Sequence, residues 1–222
     1  MEMQRRNMRN RVICFSGIDG SGKTAHARLL FEELEAAGTK CQYKWLRYPH
    51  FLALLPLAIY EPRNFKGKPS PAIAPEKIFI KSQIKVSRPV TTVWALILFV
   101  DSLLSMARNV YLPVLLNYTL IVDRFAIDTL LDIALDLREE GLIFSTIGKM
   151  FLRLVPRKSV VLIFDVEKSL AASRKGSLED ESLSRKSDLY KRLGQIYHWN
   201  VISTEAPFPE VHARVLKLVN QA

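Results

Sequence analysis

The chain has 222 residues, 49% of them hydrophobic and 24% charged, a composition typical of a globular protein that excludes global disorder. That length suits a single well-buried α/β domain. Cys14 and Cys41 are the only cysteines. Because two cysteines are too few for a disulfide framework, we interpret both as small core residues of a cytoplasmic protein.

The net charge of +10 is unevenly distributed along the sequence. Residues 1–11 contain four arginines against one glutamate, and residues 61–88 contain seven lysines and arginines against two glutamates. We therefore distinguish a basic N-terminal arm, residues 1–10, and a basic, proline-rich insertion, residues 61–91. Both could contact nucleic acid or an anionic membrane, but solvated surface that helps to attract an anionic nucleotide is the favoured interpretation.

The first part of the chain predicts a strand, a glycine-rich loop, a helix and a second strand. Residues 11–16 are rich in Val, Ile, Cys and Phe, which is typical of a buried parallel strand. Residues 23–37 have a helical period and end at Gly38, a natural C-cap. The second strand is predicted over residues 41–47. Because the basic arm leads directly into the first strand and the loop, we expect no signal peptide.

Further along the chain, helices alternate with strands. A long apolar helix is predicted over residues 92–116, but Asp101 and Arg108 interrupt it too early for the roughly 20 apolar residues of a membrane span, so we predict no span. The remaining predictions are strands 119–122, 160–164 and 201–203 and helices 127–139, 143–155, 183–197 and 209–219. This alternation predicts a doubly wound, mostly parallel five-stranded sheet with helices on both faces.

The strongest motif is G-x-x-x-x-G-K-[ST], which is matched between the first strand and the first helix, as a phosphate-binding loop requires. Its glycines let backbone N–H groups surround phosphates, and the helix N-terminus adds partial positive charge. Lys23 would contact the β- and γ-phosphates, and the Thr24 hydroxyl would ligate Mg²⁺. We therefore predict a P-loop NTPase fold in which ATP and Mg²⁺ are bound by Gly17, Ile18, Asp19, Gly20, Ser21, Gly22, Lys23 and Thr24.

Two large classes of phosphate-loop protein carry further motifs. A GTPase should contain Asn-Lys-x-Asp, and a transporter-type ATPase should contain Leu-Ser-Gly-Gly. The sequence contains neither, so a small-molecule kinase is favoured.

Shorter motifs follow the loop in an order that resembles the thymidylate kinase family of nucleoside monophosphate kinases. Arg47-Tyr48-Pro49 follows the second strand, Asp123-Arg124-Phe125 follows the third, and Ser173-Arg174-Lys175-Gly176 comes later. The resemblance covers most of the chain apart from residues 61–91. It implies a single domain over residues 1–222, ATP-dependent phosphorylation of a nucleoside monophosphate, a mobile lid at residues 173–184, and a homodimer.

The resemblance also implies roles for individual residues. Asp19 would hold the acceptor's sugar, and Arg47 would lie near the acceptor phosphate. Asp123 would complete the Mg²⁺ network, Arg124 would bridge the donor and acceptor phosphates, and Arg174 would pack on the adenine and neutralise the transferring phosphoryl group. The implied catalytic set is Lys23, Asp123, Arg124 and Arg174, the metal ligands are Thr24 and Asp123, and the substrate-binding set is Asp19, Arg47, Phe99, Arg108 and Arg124.

The sequence departs from the family's pattern on the acceptor side. Residues 98–103 align with a run whose arginine grips the acceptor phosphate, but Leu103 stands at that position, and Arg108 could substitute for it. Asp128 and Asp132 also differ from the pattern and could bind sugar hydroxyls. The leading acceptor is dTMP. The alternatives are a kinase of another phosphorylated or hydroxylated metabolite, or a nucleotide-dependent protein that binds nucleic acid or membrane.

Overall fold

Five strands form one sheet at the centre of the structure, a computed structural model that describes residues 11–46, 88–136, 138–166 and 181–221. Their spatial order is β2-β3-β1-β4-β5, and all four neighbouring pairs are parallel. The predicted α/β class and five-stranded sheet are confirmed, and the described sheet is parallel throughout. In chain order the strands are β1 Val12–Gly17, β2 Cys41–Trp45, β3 Thr119–Asp123, β4 Ser159–Asp165 and β5 Asn200–Ser203.

The central strand β1 is covered on both faces. All six of its residues are buried, as are all five residues of β3. Alternate residues of β1 face two separate cores, because Cys14 belongs to one apolar cluster while Ile13 and Phe15 belong to the other. Continuous apolar strands of this kind are typical of parallel sheets with helices on both sides. The loop that follows β1 is therefore held by a rigid scaffold.

Helices supply both of these cores. Their bounds are α1 Lys23–Ala36, α2 Arg88–Met106, α3 Leu112–Leu115, α4 Ala126–Asp136, α5 Gly141–Phe144, α6 Thr146–Arg153, α7 Glu181–Tyr197 and α8 Phe208–Gln221. α1 and α8 pack on the Ile13 side, for example through Leu30 and Val215. α2, α4, α6 and α7 pack on the Cys14 side, for example through Leu130 and Leu193. The predicted helical layers on both faces are therefore confirmed.

The long helix predicted over residues 92–116 is less regular than expected. α2 begins at Arg88, and Pro89 lies in its first turn. Proline, which has no backbone N–H, is tolerated there because an N–H in the first turn would have no partner within the helix. A π-helical segment, Ala107–Tyr111, then separates α2 from α3. Such a segment takes more residues per turn and rotates the following side chains. Asp101, before this segment, is buried, and Arg108, within it, is exposed, although α-helical spacing predicts one face for both.

Among the described residues, one helical stretch, Ala95–Leu115, is long and apolar enough to cross a membrane by length and composition. About 33% of this stretch is buried inside the protein. Ala95, Leu98, Met106 and Val110 are among its buried residues, so one side of the stretch belongs to the core.

The helix predicted over residues 143–155 is divided at Ser145. The Ser145 backbone is extended, with ψ of 172°, and its hydroxyl accepts a hydrogen bond from the Gly148 N–H at 3.2 Å. This is N-terminal capping, which begins α6. Gly148 is required there because a Cβ would lie 2.2 Å from the Ile143 carbonyl oxygen. The uninterrupted apolar period concealed this cap in the sequence.

Several predicted features lie outside the described residues. These are the basic arm of residues 1–10, Arg47, Arg174, and most of the insertion and of the lid. The last four residues of the predicted insertion form the first turn of α2, and the last four residues of the predicted lid form the first turn of α7. Both helices therefore begin earlier than the sequence predicted.

Candidate functional site

The loop between β1 and α1 lies at the carboxyl edge of the central strand. Gly17 ends β1 with φ of +141°, and a Cβ there would lie 2.3 Å from the carbonyl oxygen of Phe164 on β4. Gly20 and Gly22 have φ of +85° and +79°, in the left-handed region that glycine adopts without strain. The three glycines thus allow the tight turn that the phosphate-binding motif requires.

Lys23 begins α1, and its side chain folds back over the loop. Its Nζ donates to the Ile18 carbonyl oxygen at 2.9 Å and lies 3.6 Å from Oδ1 of Asp19. Only 3% of the residue is exposed. Burial lowers the pKa of Lys23 to about 8, and the nearby Arg124 acts in the same direction, against the opposing effect of three nearby carboxylates. Lys23 is therefore a buried cation held against its own loop.

Arg124 follows β3 and reaches the same loop. Its backbone N–H donates to the Phe15 carbonyl oxygen at 2.9 Å, and its φ of +65° is uncommon for a residue with a side chain. Its Nη2 forms an ion pair with Asp19, while Nη1 is buried and has no partner among the described residues. Burial lowers the pKa of Arg124, but the carboxylates of Asp128 and Asp19 outweigh burial, so the pKa is raised overall.

These contacts bring together three predicted site residues, one from the loop, one from α1 and one from the segment after β3. Asp19 of the loop is contacted by Lys23 and by Arg124. The Arg124 guanidinium, which keeps a buried N–H group available, is suited to bind phosphate. Hydrogen bonds from a charged donor to a charged acceptor are stronger than those between neutral groups. The arrangement can therefore concentrate positive charge where the motif places a polyphosphate.

Asp123, the last residue of β3, lies level with Phe15 of β1 in the sheet. Its Oδ2 accepts a hydrogen bond from the Tyr43 hydroxyl at 2.8 Å, while Oδ1 is buried without a partner among the described residues. Burial raises the pKa of Tyr43 to about 12, and the bond to Asp123 adds to the shift. The phenol is therefore protonated at neutral pH and donates to the carboxylate.

The donor set fits Mg²⁺, which prefers oxygen ligands and is commonly held by one or two protein groups together with substrate phosphates. Asp123 offers a buried carboxylate oxygen, and Thr24 offers a hydroxyl at the start of α1. In the described part of the chain, no cluster of three or more His, Cys, Asp or Glu side chains could hold a metal. A metal here would therefore need phosphate oxygens or waters to complete its coordination.

Asp128 is held inside the protein by three donors. Its Oδ2 accepts from the Ser16 hydroxyl at 2.7 Å and from the Phe125 backbone N–H at 2.9 Å, and its Oδ1 accepts from the Tyr190 hydroxyl at 2.7 Å. These bonds connect β1, α4 and α7, and they occupy both oxygens. We therefore assign Asp128 a structural role in place of sugar binding. The sequence signal for part of this role was the position of Asp128 in the first turn of α4, where an acidic side chain can cap the helix.

Further carboxylates attach α7 to the carboxyl edge of the sheet. Lys186 forms an ion pair with Asp132 of α4. Asp165, the last residue of β4, accepts from the Ser187 hydroxyl at 2.7 Å and lies 2.9 Å from Lys191 Nζ. The sequence did not single out these α7 residues, because charged residues along a helix are usually a solvated face.

The structure brings the other predicted residues less closely together. The Phe99 ring packs edge-on against Phe151 in the core, with ring centroids 5.4 Å apart. Arg108 is exposed on the π-helical segment, and Leu103 is 42% exposed on α2. Substrate contacts of Phe99 and Arg108 therefore stay predictions, as do the roles of Arg47 and Arg174, which lie outside the described residues.

Comparison with known proteins gives a structural likeness only. No protein family's profile and no curated protein sequence matches this chain. A crystal structure of thymidylate kinase from Ehrlichia chaffeensis is similar, with a TM-score of 0.58 and 19% sequence identity, over 94% of this chain and 97% of that chain. The chain therefore has a thymidylate kinase-like fold, as its motifs suggested. An identity this low shows the fold alone.

Proposed function

We propose that this chain is an ATP- and Mg²⁺-dependent phosphotransferase of the nucleoside monophosphate kinase type, with dTMP as the first candidate acceptor. The observation that carries the proposal is the contact of Lys23 and Arg124 with Asp19 in the phosphate-binding loop. Phosphoryl transfer needs little covalent help from a protein, and positioned cations supply most of the catalysis. Two buried cations beside a phosphate-binding loop match that requirement.

On the donor side, the loop's backbone N–H groups and the N-terminus of α1 would bind the phosphates of ATP. Lys23 would exchange its hydrogen bond to the Ile18 carbonyl for one to a phosphate oxygen. Thr24 and Asp123 would hold Mg²⁺, which when bound neutralises charge on the phosphate oxygens. The lid of residues 173–184, with Arg174, would add further positive charge over the nucleotide.

Arg124 would act between the two substrates. The ion pair with Asp19 fixes one side of its guanidinium, and the buried Nη1 remains to donate to a phosphoryl oxygen. Because charge spreads over the transferring group during the reaction, a donor that is fixed in advance stabilises the transition state more than the ground state. Asp19 would thus position Arg124 in addition to binding the acceptor.

Leu103 supports a second candidate, a kinase whose acceptor is another phosphorylated or hydroxylated metabolite. An acceptor that carries a dianionic phosphate needs cations, and an apolar side chain stands where the family pattern has an arginine. Arg47, Arg108 and Arg124 would have to compensate. An acceptor with only hydroxyl groups would not need this compensation.

The proposal is tested by measuring ADP release with ATP, Mg²⁺ and a panel of nucleoside monophosphates, sugars and polyol phosphates. Acceptor-dependent ADP release that the Lys23→Ala variant lacks would support it, and the productive compound identifies the acceptor. ATP binding with no acceptor-dependent release across the panel would instead favour a nucleotide-dependent binding protein that uses its basic segments. We propose that the reaction takes place in the cytoplasm, where ATP and such acceptors are available.

The outer face of α2 supports a homodimer. Val93, Leu96, Val100, Leu103 and Leu104 are 40–57% exposed. Their spacing of three and four residues follows the heptad pattern that packs one helix against another. The stripe carries no charged residue, so a second copy could pack against it without burying like charges. We therefore name these five residues the α2 stripe and propose that it pairs with the α2 stripe of another chain.

The dimer is tested by measuring the molar mass of the protein by light scattering after size-exclusion chromatography. Val100→Glu should convert a dimer to a monomer, because it buries a carboxylate in the interface. Lys217→Glu, on the exposed side of α8, is the control for a change of charge. A monomeric wild-type protein, or a Val100→Glu variant that stays dimeric, would contradict the pairing.

A further inference from the structure

Tyr43 contacts the candidate metal ligand Asp123 from the neighbouring strand. In the register of the sheet Tyr43 is opposite Ile121, so Asp123 is its diagonal neighbour two residues further along β3 and lies on the same face. The Tyr43 hydroxyl donates to Oδ2 of Asp123 at 2.8 Å. The contact thus arises directly from strand pairing and requires no loop.

This hydrogen bond makes the two oxygens of Asp123 different. Oδ2 is occupied by the phenol, while Oδ1 is buried with no partner among the described residues. The terminal torsion of an aspartate is broad and nearly two-fold, so packing alone would fix it weakly. A directional donor on one oxygen therefore determines where the other oxygen points.

The ring of Tyr43 is itself held in place. It packs at an angle against Phe31 of α1, with centroids 6.4 Å apart. Tyr43 and Phe31 both pack against the apolar cluster that lies between the sheet, α1 and α8. Removal of the hydroxyl alone would leave this packing intact, because a phenylalanine ring fills nearly the same volume.

We propose that Tyr43 is a positioning residue, which orients Asp123 so that Oδ1 would be available as a ligand for Mg²⁺. The inference rests on the proposed function, since it concerns the same site. Groups that hydrogen-bond to metal ligands orient them, and their loss commonly lowers metal affinity by about 10–100-fold. Neither the phosphate-binding motif nor the family resemblance includes Tyr43.

The test measures the coupling between Mg²⁺ and the nucleotide. The Kd of a non-hydrolysable ATP analogue is measured in EDTA and in saturating Mg²⁺, and the ratio of the two values is the coupling factor. In Tyr43→Phe the coupling factor should fall about tenfold, while the Kd in EDTA stays at the wild-type value. Tyr111→Phe is the matched control, because it also removes one hydroxyl, which donates to the Leu154 carbonyl oxygen, and its coupling factor should not change.

A double-mutant cycle separates positioning from general damage. In the Asp123→Asn background, Tyr43→Phe should have no further effect on the coupling factor, because the carboxylate that it orients is gone. Equal effects of Tyr43→Phe in both backgrounds, or an unchanged factor in the single variant, would overturn the inference. A wild-type chain that binds no nucleotide would contradict the proposed function itself, whereas wild-type coupling with an indifferent Tyr43→Phe variant would contradict only the role of Tyr43.

Discussion

The phosphate-binding loop and the α2 stripe depart from ordinary protein surfaces in opposite ways. Beside the loop charged groups are buried, since Lys23 is 3% exposed and Arg124 is 6% exposed. On α2 large apolar groups are exposed, and Leu104 reaches 56%. Nη1 of Arg124 is buried and has no partner among the described residues. Proteins rarely bury an unpaired cationic group and rarely leave an apolar stripe in water. The loop is therefore suited to bind an anion, and the α2 stripe is suited to pack against an apolar surface.

The two regions also differ in how far each is stabilised within a single chain. Asp19 already offsets part of the charge of Lys23 and Arg124, so the loop can form its geometry before any phosphate binds. The exposed apolar surface of the α2 stripe is not covered by the described part of the chain. Its burial against another surface would contribute about 25 cal/mol of free energy per Å². Substitutions in the loop should therefore impair chemistry with little effect on assembly, and substitutions in the stripe should do the reverse.

The largest expected effect is that of Lys23→Ala. The buried ammonium compensates charge that grows between the β- and γ-phosphates, so its loss should lower the rate of phosphotransfer by at least about a hundredfold. Single-turnover measurements of ADP formation report this rate directly. Lys217→Ala, an exposed lysine on α8, should retain the wild-type rate. A Lys23→Ala variant with half of the wild-type rate would refute the catalytic role of the loop.

The next effect in size is that of Arg124→Ala. Loss of a hydrogen bond to a charged group costs about 1.5–3 kcal/mol, or roughly tenfold to over a hundredfold in rate. Because Arg124 would act where charge redistributes, kcat should fall more than the KM for ATP rises. Arg153→Ala, an exposed arginine on α6, is the control. A change confined to ATP affinity would move Arg124 to the donor site alone.

The loop was predictable from sequence because its geometry is local. Glycine adopts the backbone angles of Gly20 and Gly22 without strain. The Lys23 side chain donates to the carbonyl oxygen of Ile18, only five residues away in the sequence. The sheet was predictable for a related reason, since the apolar period of each strand is set by burial on both faces. The strand order β2-β3-β1-β4-β5 was not predicted, because no single element shows which strands become neighbours in the sheet.

The side chains of α2 and α4 were harder to predict because long-range packing decides their surroundings. Asp128 reads as a free carboxylate in the sequence, yet it is bonded to Ser16 and Tyr190, which lie 112 and 62 residues away. Likewise Arg108 lies in the π-helical segment Ala107–Tyr111 and is exposed, whereas Asp101 is buried. The first-turn position of Asp128 signals its cap on α4, but no local pattern signals its bonds to Ser16 and Tyr190 or the π-helical segment.

Leu103→Arg tests the boundary between the two regions, because Leu103 is both a member of the α2 stripe and the residue aligned with the family's arginine. If Leu103 faces the acceptor, wild-type KM for dTMP is high, and the arginine should lower it roughly tenfold to over a hundredfold without much change for ATP. If Leu103 packs only in the dimer, the variant should become monomeric with an unchanged KM for dTMP.

Steady-state kinetics and light scattering on the same Leu103→Arg preparation distinguish these outcomes. A micromolar wild-type KM for dTMP would show that the missing arginine is compensated elsewhere. Failure of both proteins to accept millimolar dTMP while ATP still binds would exclude dTMP as the acceptor. Leu116→Arg, an exposed apolar residue after α3, is a control for added charge outside the α2 stripe.

The smallest expected effect concerns a buried polar pair that needs no ligand. His26 of α1 stacks on Phe208 with ring centroids 4.0 Å apart, and its Nδ1 lies 3.3 Å from Nδ1 of His212, whose Nε2 lies 3.2 Å from Glu33. All of these partners belong to the protein, and no phosphate contact is proposed for the pair, in contrast to Lys23 and Arg124. The pair should therefore affect stability and leave nucleotide affinity unchanged.

Burial lowers the pKa of His26 to about 4, and the neighbouring His212 acts in the same direction. Between pH 6.5 and about 4 the unfolded chain therefore binds a proton that folded His26 does not, and the free energy of unfolding should fall as pH falls, by at most about 1.4 kcal/mol per pH unit for this group. Urea unfolding at pH 7, 6 and 5 measures the slope. His26→Phe should reduce it, because the ring packing is kept and the titrating group is lost, whereas His198→Asn, at an exposed histidine with φ of +54°, should not. Equal slopes in all three proteins would show that His26 is not the residue that resists protonation, and a loss of ATP affinity in His26→Phe would mean that this side of α1 belongs functionally to the loop.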